Sequence, residues 1–339
     1  MTVQPQWNAI SFSSSGVLMI GQMGAYCQLH ESGMLAGVKD FYGCSGGSIC
    51  AYLGALGVTP LWIREWVQHF DTRPIMNIQE DMVVDYMTTW GVDSGVQASE
   101  YIGKFIDTWE PGASQWTFAD LQRERPGVSL TITATNVSAE KQDIFSTATH
   151  PSMRIADAIR ASSSVPFYAS PWVDASGQLF CDGAVCESYP RRCVKNPGTT
   201  LFVICEAPPS LPTVASLGEY IHRILRIARL KHNKEPAQEN MLFLKSCGIM
   251  LLNFMITKEE RLRAFASGAS DGIEWIKQHS PVGTSGSRPS SGGPHTLSAA
   301  RPSPELLSGS PPPRSPSQPR APSQGLPPFL LRRSRRWSV

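Results

Sequence analysis

Gly37-Val-Lys-Asp-Phe-Tyr-Gly43-Cys-Ser45-Gly-Gly47-Ser-Ile-Cys-Ala-Tyr-Leu-Gly-Ala-Leu56 carries a strand pattern over 37–42 into a run of small residues over 48–56. The spacing predicts a strand, a tight turn over 43–47, and a helix that ends at Gly57. Upstream, residues 8–13 alternate apolar and polar side chains as a short strand does. Ser14-Ser15-Gly16 then reads as a turn, and 21–31 as a helix closed by Gly33 at its C′ position. The chain therefore opens β–turn–α–β–turn–α, an order that predicts a parallel sheet with helices packed on it.

Further along, 58–118 reads as mostly helical. Trp62, Trp66 and Phe70 recur at i, i+4 and i+8, which is the face of a core helix; a lipid-facing cap built from Trp62, Trp66 and Trp90 is the rival reading. Strands are expected at 128–135, 178–181 and 200–205, with a helix over 155–163. Residues 216–279 read as helical, with Thr257 and Glu260 forming a capping box. Strands alternating with helices throughout predict a three-layer α/β fold with a mostly parallel central sheet and a helical C-terminal part.

Composition divides the chain. Of 339 residues with a net charge of +2, positions 280–339 hold 13 of the 27 prolines, 14 serines, eight Arg and one Glu. That segment carries +7, leaving residues 1–279 with 22 basic against 27 acidic side chains. An acidic body argues against a nucleic-acid-binding function. The Pro/Ser/Arg-rich segment lacks the apolar content to build a core and is expected to be a disordered tail. Its Pro311-Pro-Pro-Arg-Ser-Pro316 matches a proline-helix recognition pattern, a docking point for a tail-binding partner. The mixed apolar and basic run at 329–337 reads equally as a weak membrane anchor, a nuclear-import-like cluster or a solvated end. No basic stretch precedes an apolar run at the N-terminus, so no signal peptide is expected. The longest apolar run, 249–256, is broken by Asn253 and falls far short of the roughly 20 residues of a spanning helix. The eight cysteines show no metal-ligand spacing and read as reduced, buried thiols of a cytoplasmic protein.

Three clusters carry chemistry. Gly43-x-Ser45-x-Gly47 matches a nucleophile elbow, in which a strained strand-to-helix turn lifts a serine hydroxyl to the start of a helix. Glycines flank it because a Cβ there would strike the adjoining strand or helix; a plain glycine-rich connector is the bland alternative. Ser14-Ser15-Gly16 opens the first helix, and free amides at a helix start bind anions. Beside a nucleophile they form an oxyanion hole. A phosphate loop would need a Gly-Lys-Ser/Thr ending that is missing. Asp182-Gly183-Ala184 ends a short apolar strand and reads either as a simple turn or as a base for Ser45, directly or through a positioned hydroxyl. Burial would raise its basicity while nearby amides keep it ionised. A triad in the order Ser45, Asp182, histidine would use His222. That residue falls in a basic amphipathic stretch, 218–231, whose Arg223, Arg226, Arg229 and Lys231 suit anionic headgroups or plain solvent.

Four blocks in order resemble the patatin-like lipid acyl hydrolases. Ile10-Ser-Phe-Ser-Ser-Ser-Gly-Val-Leu-Met-Ile-Gly-Gln-Met-Gly-Ala25 is similar to the glycine-rich oxyanion block, and Gly43-Cys-Ser-Gly-Gly47 to the elbow. Ala158-Ile-Arg-Ala-Ser-Ser-Ser-Val-Pro166 is similar to the segment before the base, and Asp182-Gly183-Ala184 with Glu187-Ser-Tyr-Pro190 to the base block. The resemblance spans roughly 8–206 and runs more loosely to about 279. It implies a Ser45–Asp182 dyad with Ser45 as nucleophile, Asp182 as proton acceptor and no catalytic histidine. Ser14, Ser15 and Gly16 would form the oxyanion loop, Gly43 and Gly47 the elbow, and Gly183 and Ala184 the base loop. It implies no cofactor, metal or nucleotide. The substrate would be a fatty-acyl ester, of phospholipase A or triacylglycerol lipase type, taken from a membrane or lipid droplet by a cytoplasmic, peripheral enzyme. The family's block usually has three glycines, then arginine and a further glycine; here Ser14, Ser15, Gly16, Leu18 and Met19 stand there. Leucine in the arginine position is similar to the adiponutrin-like branch, and a side chain at Met19 is expected to narrow the loop. A catalytically weak or inactive lipid- or partner-binding module on the same fold is the alternative.

Overall fold

A computed structural model of the chain describes residues 7–206, 214, 217–229 and 238–279. The opening unit comprises β1 (Ala9–Phe12), α1 (Met19–Glu31), β2 (Asp40–Cys44) and α2 (Gly46–Ala55). Next come α3 (Pro60–His69), the short α4 (Glu80–Val84) and α5 (Tyr86–Thr89), α6 (Val96–Trp109) and α7 (Phe118–Glu124). Then follow β3 (Ser129–Asn136), β4 (Lys141–Ser146), α8 (Ile155–Ser162), β5 (Trp172–Val173), β6 (Leu179–Cys181) and β7 (Thr200–Cys205). Described residues close with α9 (Leu217–Arg229), β8 (Met241–Leu244) and α10 (Lys258–His279). Residues 280–339, including the expected disordered tail and its proline-rich motif, lie outside the described residues.

The eight strands among the described residues form one sheet, with β3, β2, β1, β7 and β8 side by side and parallel. Strand β3 sets the geometry that matters. One of its edges pairs antiparallel with β4 along Thr131–Asn136. The other is shared: β2 pairs with it as far as Cys44 opposite Thr133, and antiparallel β6 takes over at Cys181 opposite Thr135. The C-terminal ends of β2 and β6 therefore meet head-on above the middle of β3, although 137 positions separate Ser45 from Asp182.

Side-chain alternation divides the sheet into two faces. Ile10, Phe12, Phe41, Leu201, Val203, Leu242 and Leu244 join the main core beneath the helices, while Ala9, Tyr42, Phe202 and Met241 form a smaller cluster on the opposite face with Tyr189, Cys193 and Val194. The helical layer is held by close packing of α1 on α10. A Cβ at Gly268 would come 1.9 Å from the Gly21 carbonyl oxygen. Gly268→Ala should therefore push the two helices apart and cost about 1–3 kcal/mol. A drop in melting temperature of roughly 3–10 °C should follow in a domain of this size, read by differential scanning fluorimetry; an unchanged transition would deny the seam its role.

Several boundaries depart from the sequence reading. β2 extends through Gly43 and Cys44, and α2 starts at Gly46, so the expected five-residue turn shrinks to Ser45 alone. β4 pairs with its sequence neighbour β3 as a hairpin that local patterning did not single out. Residues 216–279 are not helical throughout: Met241–Leu244 is an edge strand beside β7, and 245–257 is irregular. Four apolar residues fit a strand as well as a helix, and only the neighbouring edge of β7 decides. The capping box is present, with Thr257 N donating to Glu260 Oε2 (2.9 Å) and Glu260 N to Thr257 Oγ1 (3.2 Å).

Candidate active site

Ser45 sits at φ 53° and ψ −128°, between the last residue of β2 and the first of α2. For a residue with a Cβ this is a sparsely populated conformation that persists only when its surroundings enforce it. They do so from three sides. A Cβ on Gly47 would come 2.3 Å from the Ser13 carbonyl oxygen, and one on Gly43 2.5 Å from that of Gly47, so the elbow closes only with glycine at both positions. The Ser45 amide donates to Ser162 Oγ (2.8 Å), whose own proton goes to the Thr133 carbonyl (2.6 Å). Ser48 Oγ donates to the Ser45 carbonyl (2.5 Å).

The Ser45 hydroxyl donates to Asp182 Oδ2 at 2.7 Å. The other oxygen, Oδ1, accepts from Ala184 N (2.8 Å) inside the turn that follows β6. The Asp182 main chain is anchored twice, its N–H to the Ser164 carbonyl (2.8 Å) and its carbonyl to Thr135 Oγ1 (2.9 Å). Gly183 fits because a Cβ there would approach the Thr133 carbonyl oxygen at 2.4 Å. Serine and aspartate are 6% and 3% exposed, so little water competes for their contact. Burial, and then the Asp182 charge, push the neighbouring Cys181 thiol up to about 12.

Ser162 and Ser164 carried no role in the sequence reading beyond the block that contains them. The available signal was a serine cluster closing the amphipathic helix α8 against β3. Ser162→Ala would leave the Ser45 amide and the Thr133 carbonyl unpaired in a buried site, at roughly 1–3 kcal/mol for each group. A loosened elbow should lower kcat by about 10- to 100-fold with KM little changed. Ester-hydrolysis kinetics on Ser162→Ala and Ser162→Thr check this, since threonine keeps the hydroxyl and should recover part of the rate.

The three oxyanion candidates separate. Ser14 is committed elsewhere: its N–H donates to the Ser188 carbonyl (2.6 Å) and its hydroxyl pairs with Ser188 Oγ (2.7 Å). The buried Ser15 hydroxyl donates to Gln22 Oε1 (2.9 Å). Gly16, at φ +50°, borders the cleft beside Ser45 and Gly46. A Cβ on Gly16 would meet the Leu251 carbonyl oxygen at 2.0 Å, and one on Gly46 would stand 3.0 Å from the Gly16 amide nitrogen. Gly16 and Gly46 thus pack against one another beside Ser45 at the N-terminus of α2, where unpaired N–H groups and the helix dipole favour negative charge. Gly46 was not singled out for this in the sequence, although it directly follows the nucleophile candidate.

From Ser45 an apolar cleft runs between Met19, Ile49, Ile102, Ile159 and Val165. Met19 is buried and borders this cleft. The far wall comes from the long apolar run at 249–256: Leu252 and Phe254 face the cleft, the Leu251 carbonyl accepts from Val17 N (2.9 Å), and that of Phe254 accepts from Thr72 Oγ1 (2.6 Å). Arg160 borders it too, donating through Nη2 to the Ser94 carbonyl (2.6 Å); burial lowers its pKa. Trp62 and Trp66 stack on one another in the helical core, with ring centroids 6.2 Å apart, whereas Trp90 is exposed. His222 belongs to α9, and its side chain lies outside the described residues.

A family model for patatin-like phospholipases matches residues 10–192. The "Probable lipid hydrolase 463L" of Invertebrate iridescent virus 6 is 26% identical over 161 residues, covering 45% of this chain and 52% of that protein. An uncharacterized protein of Acanthamoeba polyphaga mimivirus is 28% identical over 156 residues, covering 45% of this chain and 49% of its own length. The chain spans about half the length of the curated relatives it matches. Among solved structures, VipD from Legionella pneumophila superposes with a TM-score of 0.57 at 15% identity, over 81% of this chain and 67% of that one, a likeness of fold.

Proposed function

The chain belongs to the patatin-like phospholipase family, and from that premise we propose that it is a serine-dependent lipid acyl hydrolase working through Ser45 and Asp182. The supporting observation is the 2.7 Å hydrogen bond from a buried, strained serine hydroxyl to a buried carboxylate. As Ser45 Oγ attacks the ester carbonyl carbon, its proton passes to Asp182 Oδ2. The amides of Gly16 and Gly46 hold the developing oxyanion, in a position where they cost no reorganisation. When the tetrahedral intermediate collapses, Asp182 returns the proton to the departing alcohol or lysolipid, leaving an acyl-enzyme. Water then gives a proton to Asp182 and attacks the acyl carbon; the fatty acid leaves and Ser45 recovers its proton. The apolar cleft takes the acyl chain.

The substrate we propose is a membrane or lipid-droplet lipid reached by a peripheral, cytoplasmic protein. No helix among the described residues is long and apolar enough to cross a membrane. We take residues 1–279 as the hydrolase domain and 280–339 as a separate Pro/Ser/Arg-rich segment with a docking role. A second reading, a non-catalytic lipid-binding module, is favoured by Met19, whose side chain borders the cleft at a position where the family's block usually has glycine. An alkyl fluorophosphonate probe separates the two: the hydrolase labels at one serine in stoichiometric amount, and the module does not label.

A further inference from the structure

Beside the cleft the protein exposes a concentrated apolar surface. Ile78 is 60% exposed, Val84 84%, Met87 83% and Phe167 58%, and Val83 and Trp90 are exposed with them. They are neighbours through α4, α5 and the loop after α8. Tyr86 Oη donates to the Phe167 carbonyl (3.4 Å), Ser170 Oγ to the Thr89 carbonyl (2.8 Å), and Trp90 and Phe167 line one groove with Val137. Ala169 borders both that groove and the Ser45 cleft, so the groove adjoins the cleft.

Several polar side chains of this corner are paired within it. Thr88 Oγ1 donates to the Asp85 carbonyl (2.7 Å), Thr89 Oγ1 to the Gly91 carbonyl (2.9 Å) and the Trp90 indole N–H to the Met87 carbonyl (3.1 Å). Pairing such groups within the segment lowers the cost of desolvating it at a lipid surface. Its ionised groups are acidic: Glu80, Asp81 and Asp85 are exposed on α4 and between the two helices, and Glu140 borders the groove. Such a rim repels anionic lipid, while exposed carboxylates and an exposed indole suit a quaternary ammonium.

We propose that the α4–α5 corner with Phe167 is the surface by which this protein docks on a zwitterionic, choline-headgroup lipid layer, setting the cleft mouth against the layer. The proposal rests on the hydrolase reading for its purpose but not for its test. The full chain carrying Ser45→Ala, which cannot turn over lipid, is mixed with phosphatidylcholine vesicles and its partition measured by flotation. Val84→Asp with Met87→Asp, and separately Phe167→Asp, should each weaken partition by at least about tenfold. Leu61→Asp, at an apolar residue 78% exposed at the start of α3, should change it by less than about twofold. Adding phosphatidylserine should not tighten binding. The same variants should keep the circular dichroism spectrum and melting temperature of their parent, which shows that they fold. Undiminished partition of the Val84→Asp/Met87→Asp protein overturns the proposal, as does binding that appears only with anionic lipid. So does a dimer that these substitutions split without loss of vesicle binding, which would make a second copy the occupant. Loss of ester hydrolysis in the wild type, with vesicle binding intact, would count against the hydrolase reading alone.

Discussion

Ser45→Ala is expected to lower kcat/KM for fatty-acyl esters by at least about 10³-fold, because the neighbouring Ser48 and Ser162 hydroxyls donate to the Ser45 and Thr133 carbonyls, whereas that of Ser45 is held on the Asp182 carboxylate. The protein should remain folded. Alanine keeps the Cβ that already tolerates φ 53°, and the glycines that close the elbow are unaffected. Asp182 Oδ2 loses the donor at 2.7 Å, while Oδ1 keeps the Ala184 amide at 2.8 Å. One lost donor to a buried carboxylate costs about 1–3 kcal/mol, offset in part by the space that a water can take. The melting temperature should fall by no more than roughly 10 °C. Rates on a chromogenic ester, labelling by the fluorophosphonate probe and a thermal melt on the same preparation check all three statements. An alanine variant that still hydrolyses esters at most of the wild-type rate would remove Ser45 from the mechanism.

Local pattern carries far in this chain because the site is built mainly from backbone turns. A strand meeting small residues, an isolated Ser between glycines and an Asp-Gly after a short strand are all visible within ten residues. What the sequence does not display is how they meet. Ser45 and Asp182 come together because β2 and β6 share one edge of β3, and β4, which holds the opposite edge, was not recognised as a strand. The roles of Ser14 and Gly16 also needed the fold: both lie in the same loop, but Ser14 is drawn toward Ser188 while Gly16 borders the cleft. The run 249–256 read as part of a helical region; its apolar character serves a cleft wall held to the oxyanion loop by the Val17–Leu251 hydrogen bond. Periodicity could not reveal this, because an irregular segment has none.

Asp182→Asn and His222→Ala together decide how the serine is activated. Asparagine keeps the shape of the side chain and can keep its oxygen on the Ala184 amide, but its NH₂ then faces the Ser45 hydroxyl and can only donate. The hydroxyl would have to turn away, and no base would take its proton. A loss of about 10³- to 10⁴-fold in kcat is expected, as for the removal of a base or its orienting carboxylate in serine hydrolases. His222→Ala should change kcat by less than about tenfold. In a histidine-dependent enzyme the imidazole stands between serine and carboxylate; here the serine hydroxyl reaches the carboxylate oxygen directly at 2.7 Å, which leaves no space for a ring between them. The two schemes also differ in the acid limb of the rate, since a neutral imidazole is lost as pH falls through about 6.5, and the wild-type profile should show no inflection that His222→Ala removes. Steady-state kinetics on both variants, with circular dichroism to confirm that each is folded, give the answer. An inactive His222→Ala beside an active Asp182→Asn would transfer the base to α9 and reduce Asp182 to a turn residue of the β6 loop.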